Sequence, residues 1–441
     1  MIDLNRDDLL KLTRNYFEGR EIPVFNPGET YIPASGKVLD ASDCVALVDA
    51  SLDMWLTAGR YADLFEKSLA DKFGTKYAKL TVSGSAANLL AFSTLTSPRL
   101  GDRRIVPGSE VITVAAGFPT TVNPIVQNGC IPVFVDVGIL THNILTERIE
   151  AAITSKTRAI MVAHALGNPF DAYAIKSLCD RYGLFLIEDC CDAFGASINS
   201  KNIGTFGDIA TLSFYPAHHI TTGEGGAVMM NNFALAKICE SFRDWGRDCY
   251  CEPGKDNTCG NRFGWSVGDL PEGYDHKYIY SHIGYNLKMT DMQAALGLSQ
   301  LSKLDYFVRK RRSNFQLLIQ YLKAYELDQY FHFPEASPNS EPSWFGCLLT
   351  IKDGVPLKRK SVISELEDLK VGTRLLFAGN LTKQPAYRNV KYKISDDLKN
   401  TDKIMRDSFW IGVWPGLDEN HLAYMAEALN SVVTKQIGRV H

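Results

Sequence analysis

Six short apolar runs, at 78–82, 110–114, 132–135, 159–163, 185–187 and 209–213, recur along the first half of the chain. Helix-compatible stretches such as 86–95 and 175–182 lie between them. Runs that are apolar on both faces need cover on both faces, and repeated strand–helix alternation supplies it as a mostly parallel sheet between helices. The expected class is therefore α/β. With 441 residues the chain is long enough for one large core and a smaller second domain. We divide it into an N-terminal arm at 1–35, a large domain at 36–304 with a cysteine-rich loop at 249–265, and a smaller α+β domain at 305–441. Residues 290–304 read as an amphipathic helix, and the basic run 309–312 is expected on its solvated continuation. In an open sheet of this kind ligands bind outside the carboxyl ends of the strands, so chemistry is sought where the apolar runs stop.

Charge and hydropathy remove several classes of function. Forty-seven Lys and Arg against 50 Asp and Glu leave a net charge of −3, with no footprint for nucleic acid or an anionic membrane surface. No apolar run approaches the ~20 residues of a membrane span. The first eight residues are charged and lack the apolar core of a signal peptide. A cytoplasmic protein is expected.

The strand ends carry the candidates. Ser83-Gly84-Ser85 follows one run and opens a helix, where backbone N–H groups and a hydroxyl can cradle an anion. The plainer alternative is a serine that only caps its helix. Phe118 follows the second run, and Asp189 ends the run at 185–187, with Cys190, Cys191 and Asp192 directly after it. Ser213-Phe214-Tyr215-Pro216-Ala217-His218-His219 leaves the sixth run and enters the glycine-rich turn Gly223-Glu224-Gly225-Gly226. Farther on stands Gly284-Tyr285-Asn286-Leu287-Lys288, before Thr290, which suits a helix N-cap.

These motifs, in this order from about residue 25 to 429, resemble those of the sugar-nucleotide aminotransferases, pyridoxal-phosphate enzymes of the aspartate-aminotransferase fold (fold type I). The resemblance implies roles for individual residues. Gly84 and Ser85 would bind the cofactor phosphate, Ser213 would also contact the cofactor, Phe118 would stack on the pyridine ring, and Asp189 would keep the ring nitrogen protonated, which makes the cofactor an electron sink. Asn286 would reach the phosphate of a partner subunit, implying a homodimer. His218 stands where the family normally has the lysine that holds the cofactor. An imidazole can act as a base near neutral pH but cannot make the lysine's covalent link. The cofactor is therefore expected as non-covalent pyridoxamine 5'-phosphate, with His218, Asp192 and Tyr215 as the catalytic set.

Ten cysteines in a chain of this kind read as thiols or metal ligands rather than bridges. Cys44, Cys130, Cys179, Cys239 and Cys347 sit among apolar neighbours and read as buried small hydrophobes. Cys191, Cys249, Cys251 and Cys259 are separated by 57, one and seven residues. Four thiolates suit a [2Fe–2S] cluster, with structural zinc as the rival. That spacing resembles the iron–sulfur, pyridoxamine-dependent CDP-4-keto-6-deoxyglucose 3-dehydrase branch of the family. The resemblance implies C3 dehydration of a CDP-4-keto-6-deoxyhexose, electrons from an NAD(P)H-dependent flavin/iron–sulfur reductase, and a place in dideoxysugar and O-antigen synthesis. A cluster-free, glutamate-using dehydratase and a conventional aminotransferase remain as alternatives.

Overall fold

The computed structural model describes residues 5–21, 23–249, 251 and 257–438; Tyr250 and residues 252–256 of the expected cluster loop lie outside the described residues. The apolar runs become β1 (Tyr77–Thr81), β2 (Glu110–Val114), β3 (Ile131–Val135), β4 (Thr157–Ala163), β5 (Phe185–Asp189) and β6 (Ile209–Ser213). A further strand, β7 (Gly226–Met230), follows the glycine-rich turn. They form one sheet in the order β1-β7-β6-β5-β4-β2-β3, extended past β3 by the short strand Lys393–Ile394. Only β7 runs against its neighbours, pairing antiparallel with β1 and β6; the pairs joining β6, β5, β4, β2 and β3 are parallel. Every side chain of β2, β3, β5 and β7 is buried, as expected of strands covered on both faces.

The amphipathic helix expected at 290–304 is two helices, Asp291–Leu301 and Leu304–Ala324. Thr290 caps the first through a capping box with Gln293. In the basic run on the second, Arg309 is exposed as expected, and Arg311, 1 % exposed, corrects the expectation of a solvated face at that position. A three-stranded antiparallel sheet of Phe331–His332, Gly346–Ile351 and Ser408–Gly412 packs with Leu304–Ala324, Arg359–Asp368 and Glu419–Gly438 around Leu318, Leu349, Phe409 and Leu429. Lys393–Ile394 pairs with β3, so the 305–441 segment also contributes to the large sheet. Cys44 corrects another expectation, since it is partly exposed while Cys130, Cys179, Cys239 and Cys347 are buried. No helix among the described residues is long and apolar enough to cross a membrane.

Candidate active site

Four of the seven strands bring a candidate to one edge of the sheet. At the β1 exit, Ser83 caps the helix Gly84–Thr94 by accepting the Ala86 N–H at 3.1 Å. The capping role and a free helix N-terminus coexist there, because Ser85 remains exposed. Two glycines allow the backbones to close up. A Cβ on Gly84 would lie 2.4 Å from the Ser213 Cβ, and one on Gly226 would lie 2.5 Å from the Ser83 carbonyl oxygen. The starts of the helix and of β7 thus meet the end of β6 with no room for side chains between them.

One turn along that helix, Asn88 donates its side-chain N–H to Asp189 Oδ2 at 2.8 Å. The Thr121 hydroxyl donates to the same oxygen at 2.7 Å, and the Cys191 N–H to Oδ1 at 3.1 Å. Asn88 is itself held by the Thr211 hydroxyl at 2.7 Å. Asp189 is thus a buried carboxylate with a fixed orientation at the end of β5. Its neighbour Glu188 is completely buried and accepts the N–H groups of Gly204, Phe206 and Gly207 at 2.8, 2.9 and 2.6 Å, with His164 Nε2 at 3.2 Å. Glu188 secures the underside of the strand whose last residue is Asp189.

The stretch after β6 loops out and returns, closed by Phe214 N–H to the Gly225 carbonyl (2.8 Å) and Thr222 N–H to the Phe214 carbonyl (2.9 Å). His218 lies in this loop with its ring 5.2 Å from that of Phe345. Its Nδ1 is buried without a hydrogen-bond partner and stands 3.6 Å from Asp192 Oδ1, beyond hydrogen-bond reach. Burial pulls the His218 imidazole down to about 4, the effect opposed by the charge of Asp189. Burial, reinforced by the Asp189 charge, pushes Asp192 up to about 8. The contact has ion-pair spacing, yet both shifts favour the neutral forms, so at neutral pH it is an imidazole facing a carboxylic acid. His219 differs: it is 3 % exposed and its Nε2 donates to the Ser343 carbonyl at 2.8 Å. Tyr215 and Phe118 are half exposed, Phe118 edge-on to Phe377 at 5.6 Å.

Arg311 had no signal in the sequence beyond its charge. Among the described residues no carboxylate is in hydrogen-bond contact with it; its guanidinium donates to the carbonyls of Trp344 (3.2 Å), Phe345 (3.3 Å), Ala217 (3.5 Å) and His218 (3.3 Å). It thereby ties the His218 loop to the smaller domain. A residue at helical spacing inside a basic run looks solvated until the partner surface is known.

The segment carrying Asn286 runs beside the β1 exit, where Val82 N–H reaches the Leu287 carbonyl at 2.9 Å. Asn286 is exposed and accepts from Lys288 Nζ at 2.8 Å.

The cysteines divide. Cys249, Cys251 and His276 place ligand atoms within 4.8 Å of one another, and Cys259 Sγ lies 3.1 Å from His276 Nε2. Burial raises the Cys251 thiol, but hydrogen bonds from Thr258, Cys259 and Cys249 outweigh it and bring it down to about 7. Among the described residues Cys191 does not stand in this group. Cys191 is held at the β5 exit through its N–H to Asp189, and burial followed by the negative charge of Asp189 raises its thiol well above the ordinary value. The cysteine loop is fixed instead by Asp248 N–H to the Ile279 carbonyl (2.9 Å) and by the Arg262–Asp275 ion pair (2.7 Å). Cys249 and Cys251 open on a cleft of about 650 Å³, lined also by Trp55, Arg60, Arg243 and Trp245. Cys190 is fully buried beside Glu188 and is a packing residue.

The residues fit a pyridoxal-type cofactor: a helix N-terminus cleared by two glycines suits the phosphate, and an oriented buried carboxylate suits the pyridine nitrogen. For a cluster on four thiolates the fit within one chain is three sulfurs.

Comparison with known proteins agrees with this geometry. The chain is 55 % identical to the lipopolysaccharide biosynthesis protein RfbH of Salmonella typhimurium, over 95 % of this chain and 96 % of that protein. It is 51 % identical to a dTDP-4-dehydro-2,6-dideoxy-D-glucose 3-dehydratase of Saccharopolyspora spinosa, covering 99 % and 94 %. Among solved structures, E. coli GDP-4-keto-6-deoxy-D-mannose-3-dehydratase with bound hydrated PLP superimposes with a TM-score of 0.81 at 26 % identity, covering 91 % of this chain and 100 % of that one. A GDP-4-keto-6-deoxymannose-3-dehydratase with a trapped PLP–glutamate geminal diamine gives a TM-score of 0.80 at 28 % identity, covering 90 % and 100 %. The fold is thus the aminotransferase-like fold type I, and the cofactor class is pyridoxal or pyridoxamine phosphate. With residues 39–430 matching its family model, the chain belongs to the DegT/DnrJ/EryC1/StrS aminotransferase family of pyridoxal-phosphate-dependent sugar aminotransferases and dehydratases.

Proposed function

We propose that this enzyme removes the C3 hydroxyl of a CDP-4-keto-6-deoxyhexose, using non-covalently held pyridoxamine 5'-phosphate and electrons relayed through a [2Fe–2S] cluster, in dideoxysugar synthesis for lipopolysaccharide. The observation that carries the reading is His218: an imidazole held neutral, facing a carboxylic acid, stands at the strand exit where the family has an amine. When bound, the cofactor supplies an amine for the C4 ketone and an electron sink that allows the C3 hydroxyl to leave.

The chain's own groups divide the remaining work. Asp189 keeps the ring nitrogen protonated, fixed by Asn88 and Thr121. Gly84, Ser85 and Ser213 hold the phosphate. His218 removes the proton from the cofactor's C4′ atom, and Asp192, in its acid form, can donate a proton beside it. Tyr215 and Phe118 border the substrate side. Cys249, Cys251 and Cys259 would hold the cluster, which supplies one-electron transfer from a flavin/iron–sulfur NAD(P)H reductase, with Cys191 as the expected fourth ligand. Exposed apolar side chains at Met54, Leu56, Tyr278 and Ile283 flank the segments bordering the cysteine cleft, which supports a homodimer closing over that face.

A glutamate-driven dehydration without a cluster is the second reading, favoured by the likeness to the 3-dehydratase trapped with PLP–glutamate. The gathered thiols weigh against it. Anaerobically purified protein is expected to carry about two irons and two acid-labile sulfides per chain, lost in Cys251→Ser, and to turn over with a reductase rather than glutamate. Borohydride is expected to leave cofactor extractable. Covalent fixation to a lysine, or turnover on glutamate alone, would replace this reading.

A further inference from the structure

His276 is absent from the four-cysteine pattern yet is the hub of the cysteine loop. It is 0 % exposed in a segment with little regular structure. Trp265 stacks on its ring at 4.5 Å and 16°. Its N–H bonds to the Arg262 carbonyl at 3.0 Å, and the adjacent Asp275 pairs with the Arg262 guanidinium. A buried imidazole anchored in this way has a fixed direction, and its Nε2 points at Cys259 Sγ, 3.1 Å away. The other nitrogen, Nδ1, is buried without a partner.

Distance and the pairing of a buried donor assign the contact as a hydrogen bond. Two ligands of one tetrahedral ion, at ordinary metal–sulfur and metal–nitrogen lengths, stand roughly 3.6 Å apart; the observed 3.1 Å is shorter and is a hydrogen-bond distance to sulfur. A buried imidazole with one partnered nitrogen leaves the other either as an unpaired donor or as an unpaired lone pair. Placing the proton on Nε2 satisfies the donor and leaves only the acceptor unmade. The Asn261 N–H also reaches Cys259 Sγ, at 3.4 Å, so this sulfur accepts two N–H groups. Hydrogen bonds to ligand sulfurs stabilise the electron-richer state of an iron–sulfur centre and are one of the protein's levers on its potential.

We propose that His276 is a positioning residue of the metal site, donating its Nε2–H to the Cys259 sulfur and raising the reduction potential of the centre the cysteines hold. The proposal rests on the cluster reading above and adds a residue that reading does not contain. The test uses the full chain purified anaerobically, as wild type, His276→Leu and His276→Gln, with iron and sulfide assayed and midpoints measured by spectroelectrochemical titration. All three should retain iron. The Leu variant should show a one-electron reduction equilibrium about tenfold less favourable, about 59 mV more negative, and Gln, which keeps an N–H donor, should recover part of it. Pulsed EPR of the reduced wild type should show a weak nitrogen coupling of the hydrogen-bonded kind, a readout that does not depend on either variant folding. An unchanged midpoint with iron retained overturns this proposal alone. A strong nitrogen coupling with iron lost from both variants makes His276 a ligand and also overturns it. Iron-free or zinc-loaded wild type removes the cluster reading and this proposal together.

Discussion

Replacing His218 by asparagine is expected to lower exchange of the cofactor's C4′ proton by roughly 10²–10⁴-fold, the range for loss of a positioned acid–base group, while cofactor binding survives. The reason is local. The phosphate cradle proposed above lies at the helix start at Ser83–Gly84 and at Ser213, and the proposed ring-nitrogen site at Asp189, held by Asn88 and Thr121; His218 makes none of these contacts. His219 is not a substitute, since its Nε2 is committed to the Ser343 carbonyl. The pH behaviour follows from the environment. Burial holds His218 at about 4, so its neutral, proton-accepting form is present above that and lost as pH falls through it. Exchange by the wild type should climb through the acid range and be flat at neutrality. Asp192, held at about 8, ionises as pH rises through that value, and loss of its proton-donating acid form 3.6 Å from the ring should end the plateau. Isotope washout from labelled cofactor, followed by mass spectrometry, measures both. Normal exchange in His218→Asn would move the base elsewhere.

Glu188→Ala should produce the largest loss of stability, about 3–5 kcal/mol, the usual cost of breaking a buried charge network from one side. Three backbone N–H groups at 204–207 and the His164 ring converge on this carboxylate, which is itself completely buried. Removing it strands four donors at once, and each buried donor left unmade carries its own desolvation penalty. Glu188→Gln keeps acceptor capacity and should cost less. Because Asp189 is the next residue, the Ala variant should also weaken cofactor retention, so its thermal midpoint should fall most when cofactor is present. A midpoint within a degree of wild type would show that the turn at 204–207 is held by other means.

Much of this architecture was legible in the chain. The six apolar runs became strands within a residue or two, and the candidates Gly84, Ser85, Asp189 and Ser213 stand at or just after the carboxyl ends of those strands. The antiparallel direction of β7 was not legible, because a tight return through Gly223–Gly226 and a longer crossover leave similar local patterns. Nor were the partners of Asp189: Asn88 and Thr121 belong to helices separated from it by 101 and 68 positions. Arg311 read as a surface charge because helical spacing reports which residues share a face, not what covers that face.

Residue order alone supplies the groups that chemistry depends on: an imidazole at position 218, a carboxylate ending β5, and thiols at 249, 251 and 259. Their states and company come from the fold. Burial set His218 and Asp192 in neutral forms, because the cost of holding charge depends on how much water the fold removes. It also set Cys191 against Asp189 and His276 against Cys259. Spacing along a chain fixes how far two sulfurs could be apart, and the anchoring of the loop between them fixes how far apart they are.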